Sequence, residues 1–144
     1  MTKFILDTNA VISLIENKNK NFLRNFMKAS FETNGKISIT ILNYYEYLRG
    51  TDAVTNVEYR KILEKYLKET ISVIQYISLD DARKASKIYQ ETRGNKLGKQ
   101  KKGKEPSDVD ILMATIALNK GATIVSHDDD FRRIKGLKTE NWES

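Results

Sequence analysis

The sequence predicts an α/β fold, a three-layer α/β/α sandwich around a central, mostly parallel sheet, and three observations carry that prediction. Short apolar or β-branched runs alternate along the chain with segments of helical periodicity. Cap-type residues stand at the junctions between them. No internal repeat or long linker interrupts the alternation, which is the pattern of a parallel sheet covered by helices on both faces.

Phe4-Ile5-Leu6 is a short buried strand ending in Asp7-Thr8-Asn9, a capping cluster, and Ala10 to Ile15 continues as helix. Phe22, Leu23, Phe26 and Met27 repeat at helical spacing. After the turn signal Asn34-Gly35, the β-branched stretch from Lys36 to Thr40 is a strand. Thr40 caps a helix that runs through Glu46 and stops at Gly50. Tyr59, Ile62, Leu63, Tyr66 and Leu67 mark the next helix, and Ser72 to Ile77 a third strand. Asp80 is the expected cap of a helix carrying Ala82, Ala85 and Ile88. Pro106, the only proline, opens with Ser107 a helix whose apolar face holds Ile111, Leu112, Ala114 and Leu118. Gly121 ends it, Ala122 to Ser126 is a fourth strand stopping at a run of aspartates, and Gly136 to Trp142 supplies an edge strand.

The 144 residues suit a single domain, spanning 1–144, with one real core. Hydrophobic residues at 40% and charged residues at 31% are an ordinary globular balance. No apolar run approaches the roughly 18–20 residues of a membrane span, and MTKFILDTN is too weakly apolar for a signal peptide. The absence of cysteine excludes disulfides, thiolate metal sites and a thiol nucleophile, and a cytoplasmic location fits. The net charge of +6 favours polyanionic partners, an indication that gains meaning from where the acids fall.

In parallel α/β sheets ligands sit beyond the carboxyl ends of the strands. Asp7 directly follows the first strand and Asp128 closely follows the fourth. Glu46 lies on the helix after the second strand, and Asp110 near the start of the Pro106 helix, so all four can face one sheet edge. Converging carboxylates suit hard divalent cations such as Mg²⁺ or Mn²⁺. Such ions offset phosphate charge and acidify a water. Each acid also has a structural reading. Asp7 can cap the following helix, Glu46 can be a solvated helix residue, Asp110 completes an S-x-x-D capping box with Ser107, and Asp128 sits in an Asp-Asp-Asp turn. Their joint placement favours chemistry, because crowded carboxylates require a cation or raised pKa values.

The segments FILDTNAVISLIE, ISITILNYYEYLRG, DVDILMATIALNKGATIVSHDDDF and IKGLKTENW resemble the PIN domain, especially its VapC toxin branch, in order from residue 4 to residue 142. The resemblance implies that Asp7, Glu46, Asp110 and Asp128 form a metal-binding acidic set. It implies that Asn9 and Ser126 are hydrogen-bonding supports and Asp130 an outer acid. The family's activity is Mg²⁺- or Mn²⁺-dependent hydrolysis of RNA, leaving a 3′-hydroxyl and a 5′-phosphate, often at one site in tRNA or rRNA. The implied partners are a VapB-like antitoxin and a second copy in a homodimer. His127 stands where Asn is frequent in the family. Asp108 competes with Asp110 for the third acidic role, and Asp110 is preferred because Ile111-Leu112-Met113-Ala114 follows it in the family's register.

The Lys- and Gly-rich loop at about 93–105 precedes the Asp110 helix, and its Lys99, Lys101 and Lys102 are candidate RNA-phosphate contacts, with a solvated loop as the alternative. Arg49 is a further candidate for RNA or for an acidic ligand, and Tyr44-Tyr45 for base stacking or packing. A phosphatase-type D-x-D and a G-x-G-x-x-G are both absent after the first strand. Within the PIN reading, a toxin, a housekeeping RNA-processing nuclease and a non-catalytic RNA-binding module stay open.

Overall fold

The computed structural model describes residues 3–71, 73–93 and 106–144. Five strands, β1 (Phe4–Leu6), β2 (Ile37–Thr40), β3 (Val73–Gln75), β4 (Thr123–Val125) and β5 (Lys138–Glu140), form one sheet in the order β3-β2-β1-β4-β5. Every neighbouring pair is parallel. The connections include helices α1 (Thr8–Glu16), α2 (Lys20–Glu32), α3 (Ile41–Arg49), α4 (Val57–Thr70), α5 (Leu79–Arg93) and α6 (Asp108–Lys120). The expected alternation and the α/β/α layering are both present. Two short 3₁₀ turns, Asp52–Val54 and Asp129–Arg133, carry no sequence signal strong enough to have been anticipated.

Alternation along the strands sorts the interior into two cores. Phe4, Leu6, Ile37 and Ile39 pack with Val11, Leu14, Phe22, Leu63 and Leu67 on one face of the sheet. Ile5 and Ile124 pack with Ala85, Ile88, Ile111, Ile116 and Phe131 on the other. Burial on both faces is why β1 and β4 read as unbroken apolar runs rather than alternating ones. It also explains α6, which buries Ile111, Met113, Ala114, Thr115, Ile116 and Ala117, so the side chains on most of its circumference are withdrawn from water. Near the end of the chain, the Trp142 ring meets Phe4 edge-on at 5.1 Å and lies 5.7 Å from Phe22. That contact holds the tail against the first core.

Some expectations need correction. Asp80 does not cap α5. Ser78 does, its Oγ accepting from Asp81 N at 3.0 Å while Asp81 Oδ2 accepts from Ser78 N at 2.9 Å. The reciprocal box satisfies two amide donors, which Asp80, already inside the first turn, cannot do. Met27, Ile62 and Tyr66 lie on helical apolar stripes but are exposed, because those stripes are wider than the surface they cover. Gly50 ends α3 without a left-handed residue (φ −95°), whereas Gly121 ends α6 in that conformation at φ +66°.

Candidate active site

The sheet is wound in two directions from β1, with β2 on one side and β4 on the other. In doubly wound sheets a crevice opens at this reversal, beyond the carboxyl ends of the strands. Register places Leu6 opposite Val125, so Asp7 and Ser126 leave the sheet side by side. Asp7 N donates to Val125 O at 2.9 Å, extending the ladder by one bond into the crevice.

Asp7 is buried, at 6% exposure, and accepts three hydrogen bonds. Thr8 N donates to Oδ1 at 2.7 Å, the expected helix cap. Asn9 Nδ2 at 3.0 Å and Ser126 Oγ at 2.7 Å both donate to Oδ2. Ser126 Oγ also accepts from Asn9 Nδ2 at 3.1 Å and from Asp128 N at 3.0 Å, while His127 N donates to Asn9 Oδ1 at 3.3 Å. Asn9 and Ser126 therefore tie the end of β1 to the turn that carries Asp128. Asp128 caps the following 3₁₀ turn by accepting from Asp130 N at 3.2 Å.

Glu46, on α3, reaches the same crevice. Its Oε1 accepts from Thr8 Oγ1 at 2.5 Å, and its Oε2 lies 3.6 Å from Arg49 Nη2. Asp110 completes the capping box anticipated for α6, with Oδ2 accepting from Ser107 N at 3.3 Å. Its structural and chemical readings are thus compatible. Asp108 is exposed and lines a shallow groove with Tyr89 and Gln90 of α5.

The carboxylates act on one another. Burial, above all, lifts the Asp7 carboxyl from its ordinary 3.8 to about 6, the bonds from Ser126 and Thr8 oppose the rise, and the negative charges of Asp110 and Glu46 add to it. Burial likewise raises Asp110, against its bonds to Ser107, with Glu46 and Asp128 contributing repulsion. Asp7 thus feels the charges of Asp110 and Glu46, and Asp110 those of Glu46 and Asp128, contributions secondary to burial that a cation would relieve.

Among the described residues, no three Asp, Glu or His side chains are arranged so as to hold a metal ion together. A fully dehydrating cage is therefore not preformed. The donor set nonetheless fits a hydrated hard cation, since Mg²⁺ takes one or two carboxylates directly and keeps several waters.

The remaining predicted residues fall outside this cluster or at its rim. Arg49 is exposed, 3.4 Å from Tyr45 Oη, with its guanidinium 5.1 Å from the Tyr45 ring centre. Tyr44 is turned away and donates to Glu64. Asp130 is half-buried in the first turn of the 3₁₀ segment that Asp128 caps. His127 Nδ1 lies 2.6 Å from Glu143 Oε2. Lys99, Lys101 and Lys102 lie outside the described residues. Sequence reasoning missed Thr8, the hydroxyl that fixes Glu46, although it stands between two residues that were singled out.

A parallel α/β sheet with an acid-lined crevice at its switch point is the class of domain this geometry defines. The chain belongs to the PIN-domain family, whose PIN domain model matches residues 4–137. It is 29% identical over 144 residues to the tRNA(fMet)-specific endonuclease VapC of Shigella flexneri, covering 99% of each chain. It is 28% identical over 149 residues to ribonuclease VapC2 of Haemophilus influenzae, again covering 99% of both. A solved structure of VapBC2 from Rickettsia felis, bound to a DNA fragment from its promoter, has the same fold, with a TM-score of 0.76 and 22% identity over 98% of this chain and 99% of that one.

Proposed function

We propose that this protein is a Mg²⁺- or Mn²⁺-dependent endoribonuclease and the toxin of a toxin–antitoxin pair. The observation that carries the reading is the gathering of acids at the switch point, where Ser126 ties the turn of Asp128 to Asp7 and Thr8 holds Glu46 beside Asp7, with Asp110 feeling the charges of Glu46 and Asp128, in a chain that is otherwise basic. Family membership and the names of the relatives support it.

In this reading the four acids hold the cation. Ser126 and Asn9 keep Asp7 aimed into the crevice, and Thr8 keeps Glu46 there. When bound, the ion supplies positive charge against the phosphate and acidifies a water for in-line attack. Attack at phosphorus breaks the bond to the 3′-oxygen, which takes a proton and leaves as the 3′-hydroxyl, with the 5′-phosphate on the other fragment. Arg49, which borders Glu46 with Tyr45 beside it, is proposed to contact the RNA backbone. Lys99, Lys101 and Lys102 are proposed as further phosphate contacts. A VapB-like antitoxin as inhibitor, a homodimer and a cytoplasmic location complete the proposal, with tRNA or rRNA as the substrate class.

The test is incubation of wild type, Asp7→Asn and Asp110→Asn with total cellular RNA, with Mg²⁺ or Mn²⁺ and with EDTA, followed by mapping of new 5′ ends. Discrete, metal-dependent cuts lost in both variants are expected. Wild type that neither cuts nor binds Mn²⁺ would move the assignment to a non-catalytic module.

A further inference from the structure

Glu46 is held by a hydroxyl, and a hydroxyl can swing. What sets the direction of the Thr8 proton lies one residue deeper, at Asn43, whose side chain is fully buried. Asn43 Oδ1 accepts from Thr40 N at 2.9 Å and from Thr40 Oγ1 at 2.8 Å. A backbone N–H can only donate, so the oxygen of the amide must face Thr40 and its nitrogen must face the other way. That nitrogen lies 3.2 Å from Thr8 Oγ1 and 3.0 Å from Met113 Sδ, and the thioether, which has no proton to donate, would not suit the reversed amide. Thr8 Oγ1 therefore accepts from Asn43, and its single proton is left for Glu46 Oε1 at 2.5 Å.

We infer that Asn43 is a positioning residue of the acidic site, acting through Thr8 to hold Glu46 as a hydrogen-bond acceptor facing the crevice. The chain of donors runs one way, from the Thr40 amide through Asn43 and Thr8 to Glu46. Asn43 also joins the segments that carry the acids. It sits on α3 three residues before Glu46, bonds Thr8 beside Asp7, and touches Met113 one turn after Asp110. Partners of this kind, which orient a ligand without touching the metal, commonly govern affinity about as strongly as some ligands do.

This inference rests on the carboxylate site proposed above, and the experiment separates the two. Mn²⁺ dissociation constants are measured by electron paramagnetic resonance for wild type, Thr8→Val, Thr8→Ser, Asn43→Ser and the Thr8→Val/Asn43→Ser double variant, each checked for folding. The serine at 43 keeps an acceptor for Thr40 but stops one bond short of Thr8. Thr8→Ser should stay within about two-fold of wild type, and Thr8→Val and Asn43→Ser should each weaken binding about ten-fold. In the Thr8→Val background, Asn43→Ser should cost nothing further. Equal costs of Asn43→Ser in both backgrounds would overturn the inference while leaving the metal site standing. Wild type that bound no Mn²⁺ would overturn both. Should Asn43→Ser not fold, Mg²⁺ is titrated into ¹⁵N-labelled wild type. Movement of the Asn43 side-chain amide resonances supports the relay, and their staying fixed while Mg²⁺ binds refutes it.

Discussion

Replacing Asp7 by Asn should make the folded protein more stable at neutral pH in the absence of metal, even as it abolishes activity. The Asp7 carboxyl titrates near 6 when folded and at its ordinary 3.8 when unfolded. A raised acid pKa means that the folded state binds the proton more tightly. Its contribution is therefore fully favourable below about pH 4 and is lost as the pH rises through about 6. Above that, holding the charge costs about 3 kcal/mol. Asn removes the charge but places an amide where Oδ2 accepted from Asn9 and Ser126, which offsets roughly 1–2 kcal/mol of the gain. The net gain at about pH 7.5 is then about 1–2 kcal/mol. The variant carries no titrating group at position 7, so the cleaner quantity is the difference between variant and wild type across pH. That difference should swing in favour of Asn by about 2–3 kcal/mol from about pH 4 to about pH 7.5. Urea denaturation in EDTA at the two pH values measures it. A difference that does not change with pH would refute the burial-driven rise of the Asp7 carboxyl. Saturating Mn²⁺ should reverse the order, because only wild type gains from binding by mass action.

Further outcomes follow from the same contacts. Ser126→Ala strips a donor from Asp7 and an acceptor from both Asn9 and the Asp128 amide, so it should cost about 1–3 kcal/mol in urea denaturation and weaken Mn²⁺ about ten-fold. Unchanged Mn²⁺ affinity would show that Ser126 does not support the site. Trp142→Ala should cost about 3–5 kcal/mol, since the ring is buried against Phe4, Phe22 and Phe26, and a loss under about 1 kcal/mol would mean the tail does not hold the first core. Neutralising Lys99, Lys101 and Lys102 to Gln should weaken RNA binding and lower the slope of log affinity against log salt by about 2, with metal binding intact. An unchanged slope would remove these lysines from the RNA interface.

The architecture was legible because local and global signals agree. Phe4-Ile5-Leu6 is apolar without alternation, as a strand buried on both faces must be, and Thr40, Ser107 and Gly121 mark helix ends where the structure has them. Asp7, Asp110 and Asp128 stood out by position, just beyond a strand or at the start of a helix, whereas Glu46 lies well inside α3, the helix that follows β2. What stayed hidden depends on tertiary contacts. The cap of α5 is the exception, since Ser78 and Asp81 form the same local S-x-x-D box as Ser107 and Asp110, which the choice of Asp80 passed over. The exposure of Ile62 and Tyr66 depends on where neighbouring elements stop, which periodicity does not encode. Asn43 reads as an ordinary third residue of a capping box, and its contacts with Thr8 and Met113, 35 and 70 residues away, are invisible along the chain. The capping role of Asp110 shows the converse, since its motif alone could not reveal that the same carboxyl feels the charges of Glu46 and Asp128.

The claim at the centre of this account is that Asp7, Glu46, Asp110 and Asp128 share one cation. Anomalous diffraction from crystals equilibrated with Mn²⁺ tests it most directly. The account predicts a peak in the crevice between β1 and β4, within coordination reach of at least one of these carboxylates, and no such peak for Asp7→Asn. A Mn²⁺ peak elsewhere, or none at saturation in wild type, would contradict it.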